Sequence, residues 1–178
     1  MLETKKKERP TNWIIEQIKL IAPKRKIQIL DFASGNGRNS IHLAGKDKII
    51  TAIDKDSKRL DHYRKFNYIN TICFDLETDE EWPLKNEYYD IIIVVNYLYR
   101  PKTKKLINLL NNGGYLFYET FALGNEKYGS PKNPDYLLKD KELLNLFSKE
   151  NEILSYFNGV VTEDKISIKQ RCLIKKAS

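Results

Sequence analysis

Cysteine is scarce in this sequence and long apolar runs are missing. The 178 residues include two cysteines, Cys73 and Cys172, with no Cys-x-x-Cys and no Cys/His cluster. That excludes a zinc finger or a disulfide-built scaffold and suits a reducing cytoplasm. The longest apolar stretch, Ile91 to Val95, falls far short of the ~20 residues of a membrane span. The opening Met1-Leu2-Glu3-Thr4-Lys5 lacks the apolar core of a secretion signal, so a cytoplasmic location is expected. Only two histidines occur, His42 one turn into a helix-period segment and His62 on a polar one. They read as surface residues, and no Ser/His/Asp set, phosphate-binding Gly-x-x-x-x-Gly-Lys-[Ser/Thr] or paired metal ligands accompany them. With no repeat, biased segment or Gly/Ser/Pro-rich linker, one domain over residues 1–178 is expected, with a basic leader over 1–10.

What is present describes an ordinary globular chain. Hydrophobic residues make up 41% and charged residues 31%, and a chain of this length buries about 70% of its unfolded surface without a metal or disulfide. The net charge of +7 permits an anionic or nucleic-acid partner without requiring one. The lysines are spread along the chain and form no stripe, so a nucleic-acid partner is not favoured.

Apolar runs of strand length alternate with helix-period segments. Pro10-Thr11 opens a first helix with Trp13, Ile14, Ile18 and Ile21 on one face. Ile27–Leu30 and Ile49–Ile53 read as strands, each ending on an acid, Asp31 and Asp54. A third is expected around Asn70–Phe74, a fourth at Ile91–Val95 and a fifth at Tyr115–Tyr118. Ile91–Val95 is apolar on both faces, as at the centre of a parallel sheet. A helix through Lys105, Ile107 and Leu110 is expected to stop at Asn112-Gly113-Gly114. Ile153–Phe157 and Ile166–Ile174 lie too close together for a crossover helix and read as an antiparallel hairpin. The pattern specifies an α/β, doubly wound, mostly parallel sheet with a C-terminal antiparallel hairpin.

The turn Asp31-Phe32-Ala33-Ser34-Gly35-Asn36-Gly37 joins the first strand to a helix. Its glycines allow a tight turn and close approach to a ligand. Ser40 stands where a dinucleotide fingerprint requires its third glycine, so the NAD pattern is incomplete. Asp31 would sit poorly beside a pyrophosphate but well beside a cation. Asp54, 19 residues after Gly35, suits two hydrogen bonds from ribose hydroxyls. A ligand with a ribose, positive charge and no phosphate is S-adenosylmethionine. The competing structural roles are a salt bridge for Asp31 and a helix N-cap for Asp54.

Gly35-Asn36-Gly37-Arg38-Asn39-Ser40 with Leu43-Ala44 resembles the class I S-adenosylmethionine-dependent methyltransferases, especially the small bacterial tellurite-resistance type. The resemblance covers Ile27 to about Ile174 and implies a Rossmann-like seven-stranded sheet whose last strand is antiparallel. It implies that Asp31 and Gly35–Gly37 lie along the methionine part, that Asp54 holds the ribose, and that Asp75 and Leu76 border the adenine. Asn96 would lie near the methionine part, and Ala33, Ser34, Arg38, Asn39 and Lys55 complete the cofactor contacts. Ala33-Ser34 departs from the Gly-Cys common in relatives. On the acceptor side, Tyr97 and Arg100 leave the fourth strand at the ligand-binding edge of the sheet, and Tyr97 could orient an acceptor or take its proton. Glu119 ends the fifth strand and is the candidate for an acidic acceptor contact. The segment 119–140 has little helix or strand pattern and reads as a substrate lid. Methyl transfer to a small molecule is the expected activity; RNA methylation and cofactor binding without catalysis are the alternatives.

Overall fold

A computed structural model describes residues 9–163 and 165–177; the basic run Lys5-Lys6-Lys7 lies outside the described residues. Seven strands form one sheet in the order β3-β2-β1-β4-β5-β7-β6. They are β1 (Ile27–Phe32), β2 (Lys48–Asp54), β3 (Ile69–Cys73), β4 (Tyr89–Val95), β5 (Leu110–Phe121), β6 (Asn151–Val161) and β7 (Ser167–Lys176). The first five are mutually parallel, and β7 runs antiparallel between β5 and β6. The expected sheet and terminal hairpin are therefore present.

Alternation along the strands loads both faces of the sheet. Ile27, Ile29, Ile91, Ile93 and Phe117 point to one side, where α1 (Asn12–Ile21), α2 (Arg38–Leu43) and α3 (Ser57–Asp61) bring Ile14, Ile18, Leu43 and Leu60 against them. Leu30, Phe32, Ile92, Val94 and Leu116 point to the other side, beneath α4 (Leu106–Leu109) and α5 (Glu142–Phe147). The β3–β4 crossover, residues 74–88, departs from the expected alternation because it contains no helix. Leu76, Trp82 and Leu84 cover the sheet there, and the Trp82 ring meets Phe32 edge-on at 4.8 Å.

The expected helix stop at Asn112-Gly113-Gly114 is also corrected. The helix ends at Leu109, and Leu110 already pairs with Tyr89. Asn111 turns the chain by donating to the Tyr88 carbonyl and the Asp90 carboxylate. A Cβ on Gly114 would lie 2.9 Å from the Asn111 carbonyl oxygen, so this glycine serves the entry into β5 and not a helix cap.

Candidate active site

Parallel strands in register end at one level, and three of them carry polar groups to that edge. Phe32 pairs with both Ile53 and Val94, so the ends of β1, β2 and β4 surround one cleft of about 580 Å³ lined by Asp31, Asp54 and Asn96. Every residue assigned to the cofactor from the sequence lines this cleft except Gly37, and Tyr97 joins them. Asn36, inside the Gly35–Gly37 turn, lines it as well, and Arg9, Arg59, Glu77 and Val95, which were not foreseen, complete the wall.

Gly37 acts from behind. Its φ is +71°, and an added Cβ would lie 2.7 Å from the Tyr63 ring. Tyr63 is fully buried; its hydroxyl donates to the Gly35 carbonyl at 3.1 Å and lies 2.7 Å from the Ser34 hydroxyl. One aromatic ring thus supports the turn that a ligand would press on. In the sequence Tyr63 belongs to a helix-period segment through Leu60, and no motif sets it apart. Ala33 holds φ +56° and Gly35 φ +54°, so the alanine occupies a left-handed conformation that a glycine would adopt without strain.

The two carboxylates are held differently. Asp54 accepts from the Gly35 amide at 2.8 Å on one oxygen and from the Asp56 amide at 3.0 Å on the other. Each oxygen keeps further acceptor capacity for a hydroxyl. The N-cap role belongs to Asp56, which accepts from the Lys58 and Arg59 amides. Asp31 is buried and accepts from both the Ser40 hydroxyl, at 2.6 Å, and the Ser40 amide, at 3.2 Å. Ser40 thus stands in place of a third glycine because it anchors this acid. Both bonds fall on Oδ2 and leave Oδ1 for a ligand. Burial pushes the Asp31 carboxyl up to about 7, while the Ser40 bonds and nearby Arg38 hold it down.

On the acceptor side only Tyr97 belongs to the cleft. Its hydroxyl is buried without a hydrogen-bond partner, and burial raises its phenol far above the ordinary range. It is therefore built to donate a hydrogen bond rather than to remove a proton. Arg100 does not line the cleft. It grips the Glu142 carboxylate through Nε at 2.7 Å and Nη2 at 3.0 Å, and its guanidinium also donates to the carbonyls of Asp135 and Leu137. It pins the chain entering α5, a structural role that corrects the acceptor contact expected for it.

Glu119 is likewise displaced from its expected place. Its buried carboxylate accepts from Trp13 Nε1 at 2.5 Å, Lys169 Nζ at 2.6 Å and Arg171 Nε at 2.7 Å. Residues 119–140 contribute nothing to the cleft wall. Ala122 and Leu138 pair at the base of this segment, and the Asn125 carboxamide accepts from the Ile168 amide and donates to the Pro131 carbonyl. The segment is a loop tied to its own base and to β7, where a lid over the cleft was expected.

These donors fit S-adenosylmethionine. Asp54 offers two acceptor oxygens to a diol and Asp31 a carboxylate to a cation inside the same cleft. Residues 29–114 match the family model described as a methyltransferase domain. No curated protein matches the chain by sequence. TehB from Haemophilus influenzae superposes with a TM-score of 0.72 at 20% identity, over 93% of this chain and 62% of its own. The chain therefore spans less than two thirds of TehB, and 52% of the CurJ carbon methyltransferase. An S-adenosylmethionine-dependent methyltransferase from Methanosarcina mazei superposes with a TM-score of 0.67 at 16% identity, over 92% of this chain and 97% of its own. The [4+2]-cyclase SpnF does so with a TM-score of 0.71 at 12% identity, over 93% and 80%. Residues 29–114 thus match a methyltransferase domain model, and the chain shares its fold with S-adenosylmethionine-dependent enzymes.

Proposed function

We propose that this chain transfers a methyl group from S-adenosylmethionine to a small-molecule acceptor at the methionine end of the cleft. The observation that carries this reading is that Asp31 and Asp54 open into one cleft while each keeps an oxygen lone pair uncommitted. When bound, S-adenosylmethionine supplies a sulfonium-activated methyl group that an acceptor lone pair takes as the carbon–sulfur electron pair returns to sulfur. The donor is already activated, so the protein's task is positioning and exclusion of water, and orientation alone is worth roughly 7–11 kcal/mol. Asp54 anchors the ribose diol, Leu76 forms the floor under the adenine, and ionised Asp31 faces the positive end of the methionine part. Tyr97 lines the same cleft next to Asn96 and packs against the bound cofactor or acceptor.

The test is calorimetry with S-adenosylmethionine. Loss of the Asp54 carboxylate removes charge-assisted hydrogen bonds worth about 1.5–3 kcal/mol each, so Asp54→Ala is expected to weaken binding at least tenfold. Equal affinity in the two proteins, or no binding to the wild type, overturns the reading. Fold likeness alone does not establish methyl transfer, since a cyclase is among the neighbours. Product analysis with methyl-labelled cofactor and a panel of small acceptors, with RNA as the comparison, completes the test.

A further inference from the structure

Asp54 is held from behind by a closed circuit of contacts. Its Oδ1 accepts from the Asp56 amide at 3.0 Å, and the Asp56 side chain caps α3 through the amides of Lys58 and Arg59. The Leu60 carbonyl of α3 accepts from the Tyr63 amide at 3.2 Å. The Tyr63 hydroxyl reaches the Gly35 carbonyl at 3.1 Å, across 28 residues of sequence. The Gly35 amide then closes the circuit on Asp54 Oδ2 at 2.8 Å. One ring of bonds thus aims both carboxylate oxygens, and Tyr63 is the side chain that joins its two halves, α3 and the turn after β1.

Packing and proton placement both fix that junction. The Tyr63 ring is fully buried, and a Cβ on Gly37 would lie 2.7 Å from it, so close packing sets where the hydroxyl sits. The Ser34 hydroxyl is 3.3 Å from the Ile53 carbonyl, which the Ser34 amide already meets at 3.0 Å. Its closer neighbour is the Tyr63 hydroxyl at 2.7 Å, so Ser34 donates there and the phenol proton is left for Gly35. Burial, with Asp31 and Asp54 nearby, pushes the phenol far above its ordinary value, so the proton stays. Gly35 and Asp54 line the cleft and Tyr63 does not.

We infer that Tyr63 is a positioning residue for the nucleoside: by holding Gly35 it aims the uncommitted lone pairs of Asp54 at the ribose diol, without touching the ligand itself. The inference rests on the S-adenosylmethionine reading of the cleft. A Gly35 released from the phenol could turn its amide away from Asp54 Oδ2, and the carboxylate would then rotate about its remaining bond to Asp56.

A double-mutant cycle on the full chain, read by calorimetry with S-adenosylhomocysteine, tests this. Tyr63→Phe keeps the ring against Gly37 and removes only the hydroxyl. It should weaken binding about three- to tenfold, the equivalent of one net hydrogen bond. Asp54→Ala should weaken binding at least tenfold, and adding Tyr63→Phe to it should cost less than a further twofold, because the group being positioned is gone. A residue that only supports the fold would cost the same factor in both backgrounds. Backbone amide NMR without ligand gives a second measurement: in Tyr63→Phe the Gly35 and Asp56 amides should shift together, since both bond to Asp54. Tyr63→Phe binding within twofold of the wild type, equal losses with and without Asp54, or an Asp56 amide left unmoved would overturn the positioning role and leave the cofactor reading intact. Failure of the wild type to bind S-adenosylhomocysteine, or an Asp54→Ala protein that binds it equally well, would instead overturn the cofactor reading.

Discussion

The ends of β1, β2 and β4 and the ends of β5 and β7 are built from the same kinds of side chain and do opposite things with them. At the first group, polar groups are left incomplete: Asp54 and Asp31 keep acceptor capacity, the Tyr97 hydroxyl has no partner, and Ala33, Gly35, Gly37 and Asn96 hold positive φ. At the second, the acids are closed. Glu119 is met by Trp13, Lys169 and Arg171, and in neighbouring α5 Glu142 is met by both arms of Arg100. Buried polar groups are ordinarily satisfied by the protein itself, so unmet valence combined with backbone strain distinguishes a ligand site from a scaffold. A carboxylate at a strand tip is therefore not informative by itself; what already occupies its oxygens is.

Glu119 and Asp54 test that contrast most strongly. Both are acids at strand ends and both are buried. Glu119→Ala would strand Lys169, whose side chain is 10% exposed, without its counter-charge and leave the 17% exposed Arg171 with Glu163 alone. A loss of about 3–5 kcal/mol in urea unfolding is expected, with cofactor affinity retained wherever the variant is folded. Asp54→Ala should show the reverse, a large loss of affinity with a smaller loss of stability. Equal behaviour of the two variants would break the comparison.

Asp31 sharpens it through pH. Its folded carboxyl titrates at about 7 against an ordinary value of 3.8, so between those values the folded chain binds the proton and the unfolded chain releases it. Stability from this group is greatest below the ordinary value and falls as pH rises towards 7, by at most about 1.4 kcal/mol per pH unit. Binding of a cation requires the ionised form, so affinity for S-adenosylmethionine should rise through the same range with proton release. Opposite slopes of stability and affinity, both flattened in Asp31→Asn, are expected from denaturant melts and calorimetry between pH 5 and pH 8. An affinity independent of pH would remove Asp31 from the cationic end.

Much of this was legible in the chain because the cofactor turn is local. Asp31, the two glycines and Arg38 lie within one short stretch, and strands buried on both faces announce themselves by unbroken apolar runs. Contacts that close over long separations left no such mark. Trp13 and Glu119 are 106 residues apart, and Glu119 and Lys169 are 50 apart; charge at strand ends reads the same whether it awaits a ligand or another strand. Tyr63 was visible only as one member of a helix face, since its use is a steric fit to Gly37 and not a pattern. Segment 119–140 lacks periodicity because Asn125 and Arg100 organise it through single side chains. The hairpin strand β6 runs from Asn151 to Val161, longer than the apolar run Ile153–Phe157 that marked it, because an edge strand has a solvated side and tolerates Asn158 and Gly159.

The smallest effect bears on the turn itself. Ala33 holds a φ of +56°, where glycine would sit more easily: a Cβ in the left-handed region costs about 1–2 kcal/mol. Glycine also gains freedom in the unfolded chain, which offsets part of that relief. Ala33→Gly should therefore stabilise the fold by about 0.5–1 kcal/mol in urea unfolding. A cofactor that presses on this turn would fix Ala33 in the conformation it already holds, so S-adenosylmethionine affinity should stay within about twofold or fall slightly as the glycine loses that preset shape. If the variant is instead destabilised, the strain assigned to residue 33 is not there, and the cleft edge is marked by its unmet hydrogen bonds alone.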